Sequence, residues 1–415
     1  MDVAILGYGT VGSGTVNVLN RNRELIAEDS GEVLRVKAIL DLKDFPGDPY
    51  EERIVHNFES IVNDPTIEVV AETMGGLHPA FEYISELMRA GKSVVTSNKD
   101  LVAAYGEELL EIAAENHVDF FYEASVGGGI PIIRMINECM IQERIQEIMA
   151  VINGTTNYIL TEMEEEGISF DEALEDAQEM GYAEQNPESD VEGMDAARKL
   201  AILSTHSYCI DVNWEQIERR GITRISPEDI AIAKAIDHHI KLVARSCMKG
   251  TRLYASVEPM LLPEDHKLAQ VEGVYNTIMI RGNMVEDITV QGRGAGGKAT
   301  GSAVAADLIM AAINKKDDVT STTYHEYKKV KPESYSSLGQ SYMLRTDQMV
   351  SMPQEGIISG IQVDNSNNSD SAIHAYFTKP MKSQELRDLI QQLEVRKIHV
   401  LNCIVVEQEE QGTNR

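Results

Sequence analysis

Three groups of residues in this 415-residue chain have types and spacings suited to chemistry. The first is Gly7-Tyr8-Gly9-Thr10-Val11-Gly12, a G-x-G-x-x-G run directly after the apolar stretch 3–6. In such a run one glycine permits a tight turn, the next lets backbone approach a pyrophosphate, and the third lets a helix pack closely on a strand. The N-terminus of the following helix presents N–H groups and partial positive charge to phosphate. Gly7, Gly9, Thr10, Val11 and Gly12 are thus candidate dinucleotide contacts. Asp41 ends the second predicted strand, where a carboxylate accepts from a ribose diol and repels a 2′-phosphate. Lys43 nearby offers a phosphate a cation, so NAD is favoured and NADP stays open.

The second group is Thr96-Ser97-Asn98-Lys99, at the end of a predicted strand, with Glu72-Thr73-Met74-Gly75-Gly76 at the end of another. Both fall on the edge where doubly wound sheets bind ligands. Thr73, Met74, Gly75, Thr96, Ser97 and Lys99 are candidate cofactor contacts, and Lys99 is also placed for catalysis; in isolation it would read as an exposed lysine starting a helix. The third group lies in 181–199, GYAEQNPESDVEGMDAARK, which holds Glu184, Asp190, Asp195 and Lys199. Asp195 and Lys199 share a helix face, and alone such a pair reads as a surface salt bridge.

The elements that must position these groups alternate. Strands are predicted at 3–6, 34–40, 67–71, 93–96 and 119–123, with helices at 15–28, 79–90 and 101–116, so by residue 125 the chain has made five βα-type units. This is an α/β, Rossmann-type doubly wound sheet, assigned to residues 1–128. After Gly127-Gly128-Gly129 the rhythm changes to longer helices mixed with strands such as 145–152 and 276–281, giving an α+β substrate and dimerisation domain over 129–291. A glycine-dense loop at 292–301 precedes an Ala-rich helix at 302–313, and 292–315 is expected to complete the first domain. The polar stretch 314–337 reads as a linker. Strands at 341–345, 360–363, 371–377 and 398–406 and a helix at 383–393 make a small α+β module over 338–415.

Hydrophobic residues at 43% and charged residues at 25% indicate a packed globular protein. With 37 basic against 67 acidic residues the net charge is −30, which disfavours nucleic acid and anionic lipid as partners. Cys139, Cys209, Cys247 and Cys403 form no CxxC pair, and His206 and His238-His239 lack zinc-ligand spacing. No charged leader and no 18-residue apolar stretch is present, so a cytoplasmic location is expected.

Together with Asn153-Gly154-Thr155-Thr156-Asn157-Tyr158 and Gly181-Tyr182-Ala183-Glu184, these motifs occur in an order that resembles homoserine dehydrogenase over roughly residues 1–315. The resemblance implies NAD(P)-dependent interconversion of L-homoserine and L-aspartate 4-semialdehyde. It implies Lys99 as proton donor, Lys199 as a second cation, Glu184, Asp195 and Thr155 at the substrate, and Asp190 orienting the lysines. It also implies a monovalent cation such as sodium at Glu123, Val126, Gly128 and Ile130, and places Gly296 near the nicotinamide. By the same likeness the second domain builds a homodimer or larger homo-oligomer and the C-terminal module is ACT-like, though it lacks the usual glycine-containing ligand loop. Two other readings are weighed: a same-fold dehydrogenase of another small substrate, which has no need of Glu184, Asp195 and Lys199 together, and a non-catalytic nucleotide sensor, which has no need of the two lysines.

Overall fold

Val3, Ala4, Ile5 and Leu6 have no solvent exposure. The computed structural model, which describes residues 1–324, 326–351, 354–364 and 372–407, places them in β1 (Asp2–Leu6). Around it lie β2 (Arg35–Leu40), β3 (Ile54–Val55), β4 (Ile67–Glu72), β5 (Ser93–Thr96) and β6 (Phe120–Phe121), in the order β3-β2-β1-β4-β5-β6 and parallel throughout. Continuous apolar strands fit a parallel sheet because helices cover its faces. Val16, Leu19, Val304 and Leu308 pack on Val3, Ile5 and Val69 in one core.

The helix predicted at 15–28 opens earlier, at Thr10, and is two helices, Thr10–Arg21 and Arg23–Ser30. Gly12 and Gly14 lower intrinsic helix propensity, and packing overrides it: a Cβ on Gly14 would lie 2.0 Å from the Gly297 carbonyl oxygen. The same contact explains the glycine-dense loop. Its first residues belong to strand Asp287–Arg293, and its last five belong to helix Gly297–Asp317, whose Gly297 and Gly301 lie against the first helix. The stretch read as a linker is tied down: the N–H groups of Ser321 and Thr322 donate to buried Asp119, and Lys328–Lys329 pairs with Ile210–Asp211.

By packing the chain divides into two units, Met1–Glu143 with Ala201–Trp214 and Val290–Val330, and Arg144–Leu200 with Glu215–Thr289 and Lys331–Arg415. The first unit therefore runs past Gly128. In the second, the antiparallel strands His238–Lys249 and Arg252–Pro263 are flanked on one side by Glu147–Val151, itself paired with Tyr275–Arg281. On the other side, strand Val400–Val406 pairs parallel with Arg252–Pro263, and strands Ser341–Thr346, Ala372–Thr378 and Ile357–Asp364 follow in that order. The C-terminal strands thus extend the larger sheet instead of forming a sheet of their own; Ser371, expected to begin one of them, lies outside the described residues. Among the described residues no helix is long and apolar enough to cross a membrane, and no cluster of His, Cys, Asp or Glu is arranged to hold a metal.

Candidate active site

The glycine loop is shaped by its own missing side chains. Gly7 has φ +94°, and a Cβ there would press on the Thr73–Met74 backbone at 3.0 Å; on Gly12 it would lie 2.0 Å from the Gly7 carbonyl oxygen. Gly9 differs, because a Cβ there meets nothing within 4 Å. Its bare backbone faces space, at the N-cap of helix Thr10–Arg21, where no side chain caps the helix. Open space beside uncapped helical N–H groups fits a phosphate group. Asp41 lies at the rim, one carboxylate oxygen accepting from the Tyr8 N–H at 2.8 Å and the other from the Lys43 N–H at 2.9 Å. Lys43 itself is exposed.

Beside the loop, the Thr73 hydroxyl donates to the carbonyls of Leu6 and Gly7 at 3.0 and 2.9 Å. The turn after β4 is organised by Glu72, a fully buried carboxylate that accepts from the N–H groups of Met74 and Gly75 and from the Thr96 hydroxyl. Burial pushes the Glu72 carboxyl up from its usual range, against the downward pull of those hydrogen bonds. Thr96 Oγ1 then accepts from the Asn98 N–H, the Asn98 amide donates to the Gly76 carbonyl, and Asn98 Oδ1 caps the helix Lys99–Glu115 by accepting from Leu101. Lys99 is the first residue of that helix, half-buried, and Ser97 precedes the cap, also half-buried. Glu72 and Asn98 were in view as motif letters, but nothing local shows that they tie the two turns together.

Glu123, the carboxylate that the resemblance places at a cation, follows β6. Its two carboxylate oxygens accept from the N–H groups of Ile133 and Arg134, each at 2.7 Å. Its own N–H donates to Asp307, which also pairs with Arg134 at 2.9 Å. Burial raises both carboxyls, that of Asp307 to about 7. The Glu123 side chain is therefore engaged as a helix cap. Gly128, at φ +56°, passes so close to Gly294 that a Cβ would lie 2.5 Å from its carbonyl, and Val126 and Ile130 are buried on either side of it in the chain. Gly296, at φ +106°, is the N-cap of helix Gly297–Asp317, and a Cβ there would meet nothing within 4 Å. His206 has a structural partner, Tyr122, at 2.8 Å, and burial lowers its pKa to about 4.

In the second unit the Asp195–Lys199 pair is not a surface salt bridge. Its N–O distance is 2.8 Å, with the residues only 2% and 8% exposed. Lys199 Nζ also donates to the Ile152 carbonyl at 2.8 Å. Asn153 is the hub: its amide donates to Asp190 at 2.6 Å and to Asp195 at 2.8 Å, while its Oδ1 accepts from the Thr156 N–H and so caps helix Gly154–Glu166. The Thr155 hydroxyl donates to the Tyr182 carbonyl at 2.7 Å and fixes the turn that carries Glu184. Glu184 is exposed, and its carbonyl accepts from Gln178. The structure thus joins Asp190, Asp195 and Lys199 through Asn153, a residue quoted in the motif but not singled out as a site residue.

A buried ion pair is a poor stability device, because desolvation offsets most of its Coulombic gain. Held by two further hydrogen-bonding groups and left slightly exposed, it instead offers a substrate a fixed cation beside fixed anions.

Comparison with known proteins identifies relatives of the whole chain. The family model described as homoserine dehydrogenase matches residues 131–309, and that described as homoserine dehydrogenase, NAD binding domain, matches 7–123. The chain is 38% identical over 326 residues to a homoserine dehydrogenase of Bacillus subtilis, covering 78% of this chain and 75% of that one. A crystal structure of a homoserine dehydrogenase from Thiobacillus denitrificans superposes with TM-score 0.88 at 31% identity, covering 98% of each chain. A hyperthermophilic archaeal homoserine dehydrogenase in complex with NADPH superposes with TM-score 0.63 at 32% identity, covering 75% of this chain and 98% of that one.

Proposed function

The chain belongs to the homoserine dehydrogenase family, and from that premise we propose how its residues share the work. The reaction is the reversible NAD(P)-dependent interconversion of L-homoserine and L-aspartate 4-semialdehyde, on the route to threonine, methionine and isoleucine. When bound, the nicotinamide cofactor exchanges a hydride with the substrate carbon. Gly7, Gly9, Thr10, Val11 and Gly12 hold its phosphates, Asp41 its ribose, and Thr73, Met74, Gly75, Thr96, Ser97 and Gly296 flank it. Asp41 favours NAD; Lys43, and the NADPH named for the archaeal relative, support NADP as the alternative.

At the substrate oxygen a proton must leave during oxidation and return during reduction. Lys99 carries that proton, and an ammonium beside the oxygen also stabilises the developing alkoxide. Lys199, fixed by Asp195 and the Ile152 carbonyl, supplies the second positive charge. Asp195 and Glu184 accept from the substrate's ammonium, Thr155 holds the turn carrying Glu184, and Asp190 fixes Asn153 and, through it, Asp195. The observation that supports this assignment is the burial of the Asp195–Lys199 pair, which is no surface salt bridge and stands fixed beside Asn153.

With Glu123 occupied as a helix cap, a monovalent cation such as sodium is left the backbone carbonyls at Glu123, Val126, Gly128 and Ile130, a hard donor set. The C-terminal strands and helix Ser383–Val395 support an ACT-like module without the usual glycine-containing ligand loop. A cytoplasmic homodimer or larger homo-oligomer completes the proposal. The Lys99→Ala variant tests the chemical assignment: turnover of L-homoserine falls by about 10²- to 10⁴-fold while cofactor affinity, read by fluorescence titration, changes little. Full activity in that variant would remove Lys99 from the mechanism.

A further inference from the structure

Asn276 has no solvent exposure and belongs to no motif described above. Antiparallel pairing sets Thr277 opposite Val151, so Asn276 stands opposite Ile152, where strand Glu147–Val151 runs into Asn153. Its amide donates to the Ile152 carbonyl at 3.1 Å. The same oxygen accepts from Lys199 Nζ at 2.8 Å. A carbonyl oxygen has two lone pairs, and here one serves the lysine and the other Asn276. Asn276 Oδ1 is buried and has no hydrogen-bond partner among the described residues. Buried polar groups are ordinarily satisfied, and an exception beside a functional group points to a role there.

Resting on the dehydrogenase reading, we propose that Asn276 is a positioning residue that fixes the Ile152 carbonyl and, through it, the ammonium of Lys199. The chain of hydrogen bonds then runs Asp190, Asn153, Asp195, Lys199, Ile152, Asn276, and the cation is clamped from both ends: the Asp195 carboxylate on its own helix and the Ile152 carbonyl held by a neighbouring strand. Without the Asn276 donor the carbonyl is free to reorient, and Lys199 loses one of its two fixed contacts. The effect falls on the amino-acid substrate and not on the nucleotide.

Two variants test this. Asn276→Leu removes both polar atoms at similar size, and Asn276→Ala removes them without adding bulk. Thr277→Val, the next buried polar position on the same strand, serves as the control for core disturbance. We expect kcat/KM for L-homoserine to fall about 10- to 100-fold in both Asn276 variants, with the cofactor KM unchanged and Thr277→Val at the wild-type value. Wild-type kcat/KM in a well-folded Asn276 variant, or an equal loss in Thr277→Val, would overturn the proposal. Absence of turnover in the wild-type enzyme itself would instead overturn the functional reading on which it rests.

Discussion

Asp41 holds the Tyr8 N–H with one oxygen and the Lys43 N–H with the other, so it fixes the glycine loop as well as offering the ribose a carboxylate. The two roles separate in Asp41→Asn, which retains an acceptor for Tyr8 but loses the charge that repels a 2′-phosphate. The ratio of kcat/KM with NADP to that with NAD is expected to rise about tenfold, a difference of about 1.4 kcal/mol; an unchanged ratio, from parallel initial rates, would leave Asp41 only the loop to hold. Single residues of this kind were legible where a motif names them. Gly7 to Gly12 and Lys99 were singled out from type and position and Lys199 through the resemblance, whereas the bonds from Glu72 to Thr96, Asn98 to Gly76 and Asn276 to Ile152 join distant parts of the chain. Asn276 bonds a carbonyl 124 residues away, and no local pattern records such a contact.

At the scale of elements, glycines divide into those that let structure approach structure and those that leave room for something else. On Gly12 a Cβ would collide with the Gly7 carbonyl, whereas on Gly9 it meets only space. Gly12→Ala should therefore lower the melting temperature measurably, as overpacking typically costs about 1–3 kcal/mol, and weaken cofactor binding with it. Gly9→Ala should leave the melting temperature near the wild-type value while weakening cofactor binding at least about tenfold, since only the bound pyrophosphate needs that approach. Calorimetry and cofactor titration on the two variants check this; a Gly9→Ala enzyme with wild-type affinity would move the phosphate elsewhere. The buried strands named from the sequence lie within a residue or two of the observed ones, but the two long buried strands His238–Lys249 and Arg252–Pro263 were not read. The helix starts at Thr10 and Gly297 were missed because glycine depresses helix propensity locally, and here the close packing of Gly14 against Gly297 decides. The two-residue β3 was too short to show a period.

On the scale of the whole molecule, the net charge of −30 fits an enzyme of small molecules and offers nothing to a phosphate backbone. The alternating first half of the sequence was legible as a doubly wound sheet because parallel strands must be apolar and must be separated by helices. How the remaining strands share one sheet was not, since the pairing of Val400–Val406 with Arg252–Pro263 joins segments far apart in the chain. The segment 314–337 looked like a linker because it is polar, yet its hydroxyl and N–H groups satisfy Asp119 and the edge of β6. The central claim concerns the reaction performed by the assembled enzyme, and the most direct measurement is the initial rate of L-homoserine oxidation by the purified protein, followed by nicotinamide absorbance with NAD and NADP in parallel. The account predicts turnover, with NAD the better cofactor if Asp41 governs the ribose site; no turnover with either, from protein shown to bind the cofactor, would contradict it.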